Sequence, residues 1–227
     1  MKKVIIISLG GSLIVPDKIN LKLLKEFKKI LLKNTKKYKF IVVCGGGNTA
    51  RIYINGFKEE KKTLYQSLLG IASTRLNAKF MTYFFEKNTS QIIPRDMAEV
   101  GNLINKHDLV FCGALRYAED ETSDATSAKL AHYFNTEFIN LSDVSGLYEK
   151  NPKKYKNAKF IPEVTHKDFL KIANKVKFIP GQHFILDQKA AKIIKKYNIR
   201  TFLLGPNLKN LDNLLNNKHF VGTVIGI

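Results

Sequence analysis

The sequence predicts an α/β protein: a three-layer α/β/α sandwich with a mainly parallel central sheet. Three observations lead there. Short apolar runs bounded by turn signals recur along the 227 residues. Segments of helical periodicity separate them, and several runs end directly in glycine. Strands that alternate with helices need crossover connections, which lay helices on both faces of a parallel sheet. The length suits a single domain with one large core.

The elements follow in chain order. Residues 3–9 are an apolar run closed by Gly10-Gly11. A charged start and an apolar stretch also open a secretory leader, but no small-residue cleavage site follows and the glycine pair interrupts the run, so a strand is the better reading. Asn20 can cap a helix whose apolar stripe is Leu23, Leu24, Phe27, Ile30 and Leu31. Residues 40–44 form a second strand, closed by Gly45-Gly46-Gly47. Thr63 starts a long helical pattern that runs through Leu64, Leu68 and Ile71 to about Phe85. Residues 91–93 and 109–112 read as strands, the latter ending at Gly113. Thr122-Ser123-Asp124 opens a helix, and residues 137–141 return to a strand. The charged stretch 150–159 is a loop that could mark a seam between two lobes. Asp187 precedes a helix carrying Ala190, Ala191, Ile193 and Ile194, and residues 200–204 and 220–225 read as the last strands.

Composition narrows the function. Apolar residues make up 44% and aromatics 11%, the balance of a folded chain rather than a disordered one. No apolar run approaches the roughly 18 residues of a membrane span. Two cysteines, Cys44 and Cys112, make neither a disulfide framework nor a zinc site, which points to a reducing cytoplasm. Against 19 acidic residues stand 38 basic ones, a net charge of +19. Five of the 38 are arginine, the residue whose planar fork reads bases and clamps phosphates. A lysine surplus spread over the helices argues against nucleic acid and leaves phosphate-bearing small molecules as the better partners.

Three strand ends run into small or hydroxylated residues: Ser8-Leu9-Gly10-Gly11-Ser12, Gly45-Gly46-Gly47-Asn48 leading to Arg51, and Gly113 leading to Thr122-Ser123-Asp124. Ligands of open α/β sheets bind outside the carboxyl ends of strands. Glycine lets backbone amides approach an anion, and a following helix N-terminus adds donors. Together the loops suggest a site for several phosphates. The P-loop pattern is absent. Gly45, Gly47 and Ala50 fit the dinucleotide fingerprint, but the next strand begins only at Gln91, too far along for that unit. No His/Cys cluster suggests a metal.

A fourth segment is the most specific: Leu141-Ser142-Asp143-Val144-Ser145-Gly146-Leu147-Tyr148, followed by Asn151-Pro152. With the glycine-pair start, the triple-glycine loop before Ala50-Arg51 and the Thr-Ser-Asp helix start, it resembles the amino acid kinase superfamily. The closest likeness is to its archaeal-type uridylate kinases. Leu69-Gly70-Ile71, Thr74-Arg75 and the late Leu186-Asp187 segment extend the resemblance nearly end to end.

The resemblance implies ATP-dependent phosphorylation of UMP to UDP, with Mg²⁺ carried on ATP. The lobe of residues 1–139 would hold the acceptor and that of 140–227 the nucleotide. Gly10, Gly11 and Ser12 would cradle the transferring phosphate, beside Ser8. Gly47 and Arg51 would face ATP, and Ser142, Asp143, Tyr148 and Asn151 would line the adenosine site. Gly46, Ser67, Leu115, Arg116, Thr122 and Ser123 would hold UMP. Gly10, Gly11, Arg51 and Asp143 would act in the transfer, with Arg51, Arg116, Lys189 or a lysine of the 150–159 loop as the stabilising cation. A cytoplasmic homo-oligomer is implied, since relatives commonly form hexamers. The chain departs from the family pattern at Ser8, where many relatives carry lysine, and at Ser67, Ser145 and Asn151, where the uridylate branch carries aspartate. Alternatives are another kinase of the same fold, for isopentenyl phosphate, carbamate or an amino acid, and a non-catalytic nucleotide sensor.

Overall fold

The computed structural model describes residues 2–57, 62–116, 122–175 and 186–227. The chain opens with β1 (Lys3–Leu9), the short helix α1 (Gly11–Ile14), α2 (Leu21–Asn34), β2 (Tyr38–Cys44), α3 (Gly47–Asn55) and α4 (Thr63–Phe85). It continues through α5 (Met97–Lys106), β3 (Leu109–Cys112), α6 (Ser123–Tyr133), β4 (Phe138–Leu141), β5 (Leu147–Tyr148), β6 (Phe160–Ile161) and β7 (Glu163–Val164). It closes with α7 (His166–Asn174), α8 (Gln188–Tyr197), β8 (Thr201–Leu204), α9 (Lys209–Leu215) and β9 (Thr223–Ile225). Side chains cap the helices as the sequence suggests: Asn20 Oδ1 accepts the Leu23 amide at 3.3 Å, and Asp187 Oδ1 accepts that of Ala190 at 2.9 Å.

Seven strands form one sheet in the order β3-β2-β1-β4-β8-β9-β7. The first five are mutually parallel, β9 runs antiparallel to β8, and β7 pairs parallel to β9. Alternation along the strands divides the interior into two layers. Ile5, Ile7, Leu9, Phe40 and Val42 point to one face and pack on Phe27 of α2, Met81 and Phe85 of α4 and Leu211 of α9. Ile6, Ile41, Val43 and Val110 point to the other and pack on Ile104 of α5, Ala128 of α6, Phe169 of α7 and Ile194 of α8. Burial on both faces explains why these strands read as continuous apolar runs. Cys44 and Cys112 are buried, unpaired thiols on neighbouring strands. Burial raises both, Cys112 to about 12, and the nearby Cys112 adds to the rise at Cys44, so neither is poised to react.

Several expectations need correction. Residues 91–93 form a bend at 91 and 92 followed by irregular chain, not a strand. Pro94 supplies no amide, Ile92 bonds back to the Ser90 hydroxyl at 3.1 Å, and the Ile92 side chain is 62% exposed. The last strand is shorter than the run 220–225, and α5, α7 and α9 add helices that the periodicity reading does not assign. The 150–159 stretch is the connection of a small hairpin, β5 against β6. Tyr117 and the other residues of 117–121, and Ile185, lie outside the described residues.

Candidate active site

Three parallel strands end level with one another. Leu9 of β1 stands in register with Cys44 of β2 and Leu141 of β4. The chain builds outward from β1 to β2 and β3, then returns to β4 on the other side of β1, which makes the β1–β4 edge a topological switch point. The loops that leave these ends are sewn together by backbone bonds: Gly45 N to Leu9 O and Gly10 N to Leu141 O, both 2.9 Å, and Asn48 N to Val15 O, 3.0 Å.

The two glycine loops touch main chain to main chain. A Cβ on Gly11 would lie 1.9 Å from the Gly47 nitrogen, and one on Gly45 would lie 2.5 Å from the Gly11 nitrogen. Gly47 also has φ +64°, a conformation that side chains rarely adopt. Gly11 is therefore fixed by space, and Gly47 by space and conformation together.

Above this contact lies a cleft of about 260 Å³. Gly10, Gly11 and Ser12 line it from the first loop, and Gly46, Gly47, Ala50 and Arg51 from the second loop and α3. Ser123 and Asp124 contribute from the start of α6, Asn140 from β4, and Ser142, Asp143 and Val144 from the segment after it. The first amides of a helix have no partner within it and carry the positive end of its dipole, so the start of α6 favours an anion.

Two carboxylates enter this anion-friendly cleft; Lys153 pairs with Asp143, whereas the hydrogen-bond partners of Asp124 are neutral. Its Oδ1 accepts the Ser8 hydroxyl at 2.8 Å and the Asn140 amide at 3.1 Å. It remains partly exposed toward the cleft, yet the packing around its carboxyl removes enough water to raise its pKa to about 7. The like charge of Asp187 adds to the rise, and the Ser8 bond works against it. Asp187 is itself occupied, since Oδ2 accepts the Thr122 hydroxyl while Oδ1 caps α8. Thr122 in turn caps α6, its Oγ1 accepting the Ala125 amide at 3.0 Å.

A sequence model of the amino acid kinase family matches residues 3–205. The chain belongs to the amino acid kinase family. It is 32% identical over 230 residues to the uridylate kinase of Thermoplasma volcanium, covering 99% of this chain and 98% of that one. It is 29% identical over 224 residues to the uridylate kinase of Methanococcus aeolicus, with 97% and 98% covered. Among solved structures, the uridylate kinase from Archaeoglobus fulgidus superposes with a TM-score of 0.84 at 29% identity, covering 99% of this chain and all of that one. The UMP kinase of Ureaplasma parvum, 19% identical with a TM-score of 0.77, shares the fold.

Within this amino acid kinase fold, nine of the candidate site residues line one cleft, Gly10, Gly11, Ser12, Gly46, Gly47, Arg51, Ser123, Ser142 and Asp143, and the buried Ser8 touches it through its bond to Asp124. Others stand apart. Leu115 and Arg116 line a separate cavity of about 340 Å³ beside α5, where Arg116 pairs with Asp96 at 2.8 Å. Ser67 is exposed on α4. Tyr148 meets Phe160 edge-on, with ring centroids 5.3 Å apart, and Asn151 accepts the Lys153 amide at 2.9 Å. Of the candidate cations, Arg51 lines the cleft and Lys153 reaches its wall by pairing with Asp143. Among the polar residues of the cleft, Asn140 is absent from the sequence reading, and Asp124 appears there as part of a helix start without a role of its own. The Thr-Ser-Asp helix start is a signal for Asp124, and no local signal marks Asn140.

Two outcomes follow from this geometry. Gly11→Ala should lower stability by about 3 kcal/mol, the upper end of overpacking, in urea unfolding. The control Gly101→Ala, whose Cβ meets nothing closer than 3.9 Å, should be neutral or stabilise by about 0.5–1 kcal/mol. The second outcome concerns pH. Asp124 holds its proton in the folded chain up to about pH 7 but loses it near 3.8 once unfolded. The native state thus binds the extra proton between these values, and its contribution to stability falls as pH rises through that window. In buffers free of metal and ammonium cations, Asp124→Asn should gain stability relative to the parent from pH 4 to 7 and hold that gain above 7. A constant difference across that range would contradict the assignment.

Proposed function

We infer that the protein is an ATP-dependent kinase that phosphorylates UMP to UDP. The observation that carries this is the end-to-end likeness to uridylate kinases, because it spans both walls of the cleft rather than one loop. Amides of Gly11 and Gly47, with Ser12 and Arg51, hold the phosphates of ATP, while Gly10, whose amide is bonded to the Leu141 carbonyl, lines the cleft without donating to them. The Asp143–Lys153 side of the cleft takes the nucleoside end, and Gly46 and Ser123 hold the acceptor phosphate. An oxygen of that phosphate attacks the γ-phosphorus, the bond to the bridging oxygen breaks, and ADP leaves. The protein's work is positioning and charge neutralisation, with no covalent intermediate on the chain.

Among the described residues, no group of three or more His, Cys, Asp or Glu could hold a metal ion. The ATP phosphates themselves would carry the magnesium that the family likeness implies, and it would supply neutralisation of part of their charge. Leu64, Leu68 and Leu76, with Tyr65 and Tyr83, stand exposed along α4, an apolar face that supports a homo-oligomer. Buried free thiols fit a reducing compartment such as the cytoplasm. Among the described residues, no helix is long and apolar enough to cross a membrane.

A panel of UMP, CMP, AMP, GMP, isopentenyl phosphate, carbamate and amino acids, assayed with Mg-ATP for ADP release, tests the reading. UMP should give the highest kcat/KM. Turnover of isopentenyl phosphate or an amino acid but not UMP would overturn it, and nucleotide binding without turnover would make the protein a sensor. Arg51→Gln should lower kcat/KM for ATP about 10- to 100-fold, the worth of one hydrogen bond to a charged group.

A further inference from the structure

We propose that Ser8 Oγ, the Asp124 carboxylate and Asn140 Oδ1 form, at the floor of the cleft, a binding site for a monovalent cation, K⁺ or the similarly sized NH₄⁺. The three side chains come from β1, α6 and β4, with Ser8 and Asp124 116 positions apart. Ser8 is 1% exposed and Asn140 2%.

Two independent observations meet there. The partners of the Asp124 carboxylate, Ser8 and Asn140, are both neutral, and the charge that acts on it most is that of Asp187, which has the same sign. Asn140 Oδ1 is buried and accepts no hydrogen bond; among the described residues, Thr82 Oγ1 is the other such side-chain atom. Exchanging the oxygen and nitrogen of Asn140 does not help, since the amide would lose its acceptor and oxygen would face oxygen. A buried acceptor left without a donor and a carboxylate left, among the described residues, without a counter-charge share one remedy, a cation between them.

The donors choose the cation. A carboxylate, an amide oxygen and a hydroxyl are hard oxygen ligands, suited to a hard ion. Both Asp187 oxygens are committed, to Thr122 and to the cap of α8, which leaves one carboxylate. One positive charge neutralises it, whereas two would leave a net charge where water is scarce. Burial that raises Asp124 is the expected behaviour of this site when empty. Filled, it places a positive charge beneath the phosphates gathered by the glycine loops. The site rests on the floor of the cleft, not on which acceptor the enzyme takes, and its test needs no turnover.

The experiment is thermal unfolding of the nucleotide-free protein at pH 8, above the Asp124 range, at constant ionic strength. KCl replaces tetramethylammonium chloride, whose cation is too large to enter. KCl should raise Tm saturably, by about 3–6 °C at ten times its dissociation constant, and NH₄Cl should do the same. Asp124→Asn and Asn140→Leu should each abolish the shift. Ser8→Lys should abolish it by tethering an ammonium at the floor, with a higher Tm in tetramethylammonium chloride. If Ser8→Lys does not fold, Asn140→Leu decides. Equal Tm values for the parent in both salts would overturn the proposal and leave a proton on Asp124. A shift that survives Asp124→Asn would place the ion elsewhere, and a larger Asp124-dependent shift with MgCl₂ would make the site divalent; either overturns it.

Discussion

Gly11 rests its backbone against that of Gly47, and the position of the whole cleft follows from this contact. Two parallel strands that end in register must send their chains away side by side, and side chains at that exit would hold the loops apart. With glycine there, the loops close to main-chain distance, and α3 begins beside the first loop. Its first turn and the amides of both loops therefore face the same space. The constraint comes from within the protein, so these glycines are required by the fold before any phosphate arrives. A descendant that lost catalysis but kept the fold would still need them.

The cleft combines a backbone suited to anions with a floor that is not. Its walls carry amides, Arg51 and, through Asp143, Lys153. Its floor carries a carboxylate with neutral partners. The net charge of +19 does little for Asp124, because the field of exposed lysines is screened by solvent before it reaches the floor of the cleft. Local composition of the floor, more than net charge, sets the electrostatics of the site.

The sequence made the central strands and glycine loops legible because their signals are local: an apolar run, then glycine. The strand read at residues 91–93 fails for a non-local reason, as those residues find no sheet neighbour and turn back on Ser90. The helices α5 and α7 carried a readable cue that periodicity passed over. Asp96 accepts the Glu99 amide, and Thr165 that of Asp168, each opening a helix. Leu115 and Arg116 follow the family order in sequence but not into the cleft, since Arg75 binds the carbonyl of Leu115 and Asp96 holds Arg116. The Ser8–Asp124–Asn140 cluster is invisible to any window along the chain, because three separate elements build it.

The central position of β1 has a consequence for how the chain is made. Its partner β2 follows closely, but the strand on its other side, β4, is not complete until Leu141. During synthesis the first strand therefore waits with one edge unpaired, an edge whose neighbours in the finished sheet are almost wholly apolar. Pairing over so long a separation is slow because loop closure must precede the contacts that reward it. The glycine loops can meet early, from the first 55 residues, but the floor beneath them waits for β4. A nascent chain of this kind is most open to misassociation in the interval before β4 docks.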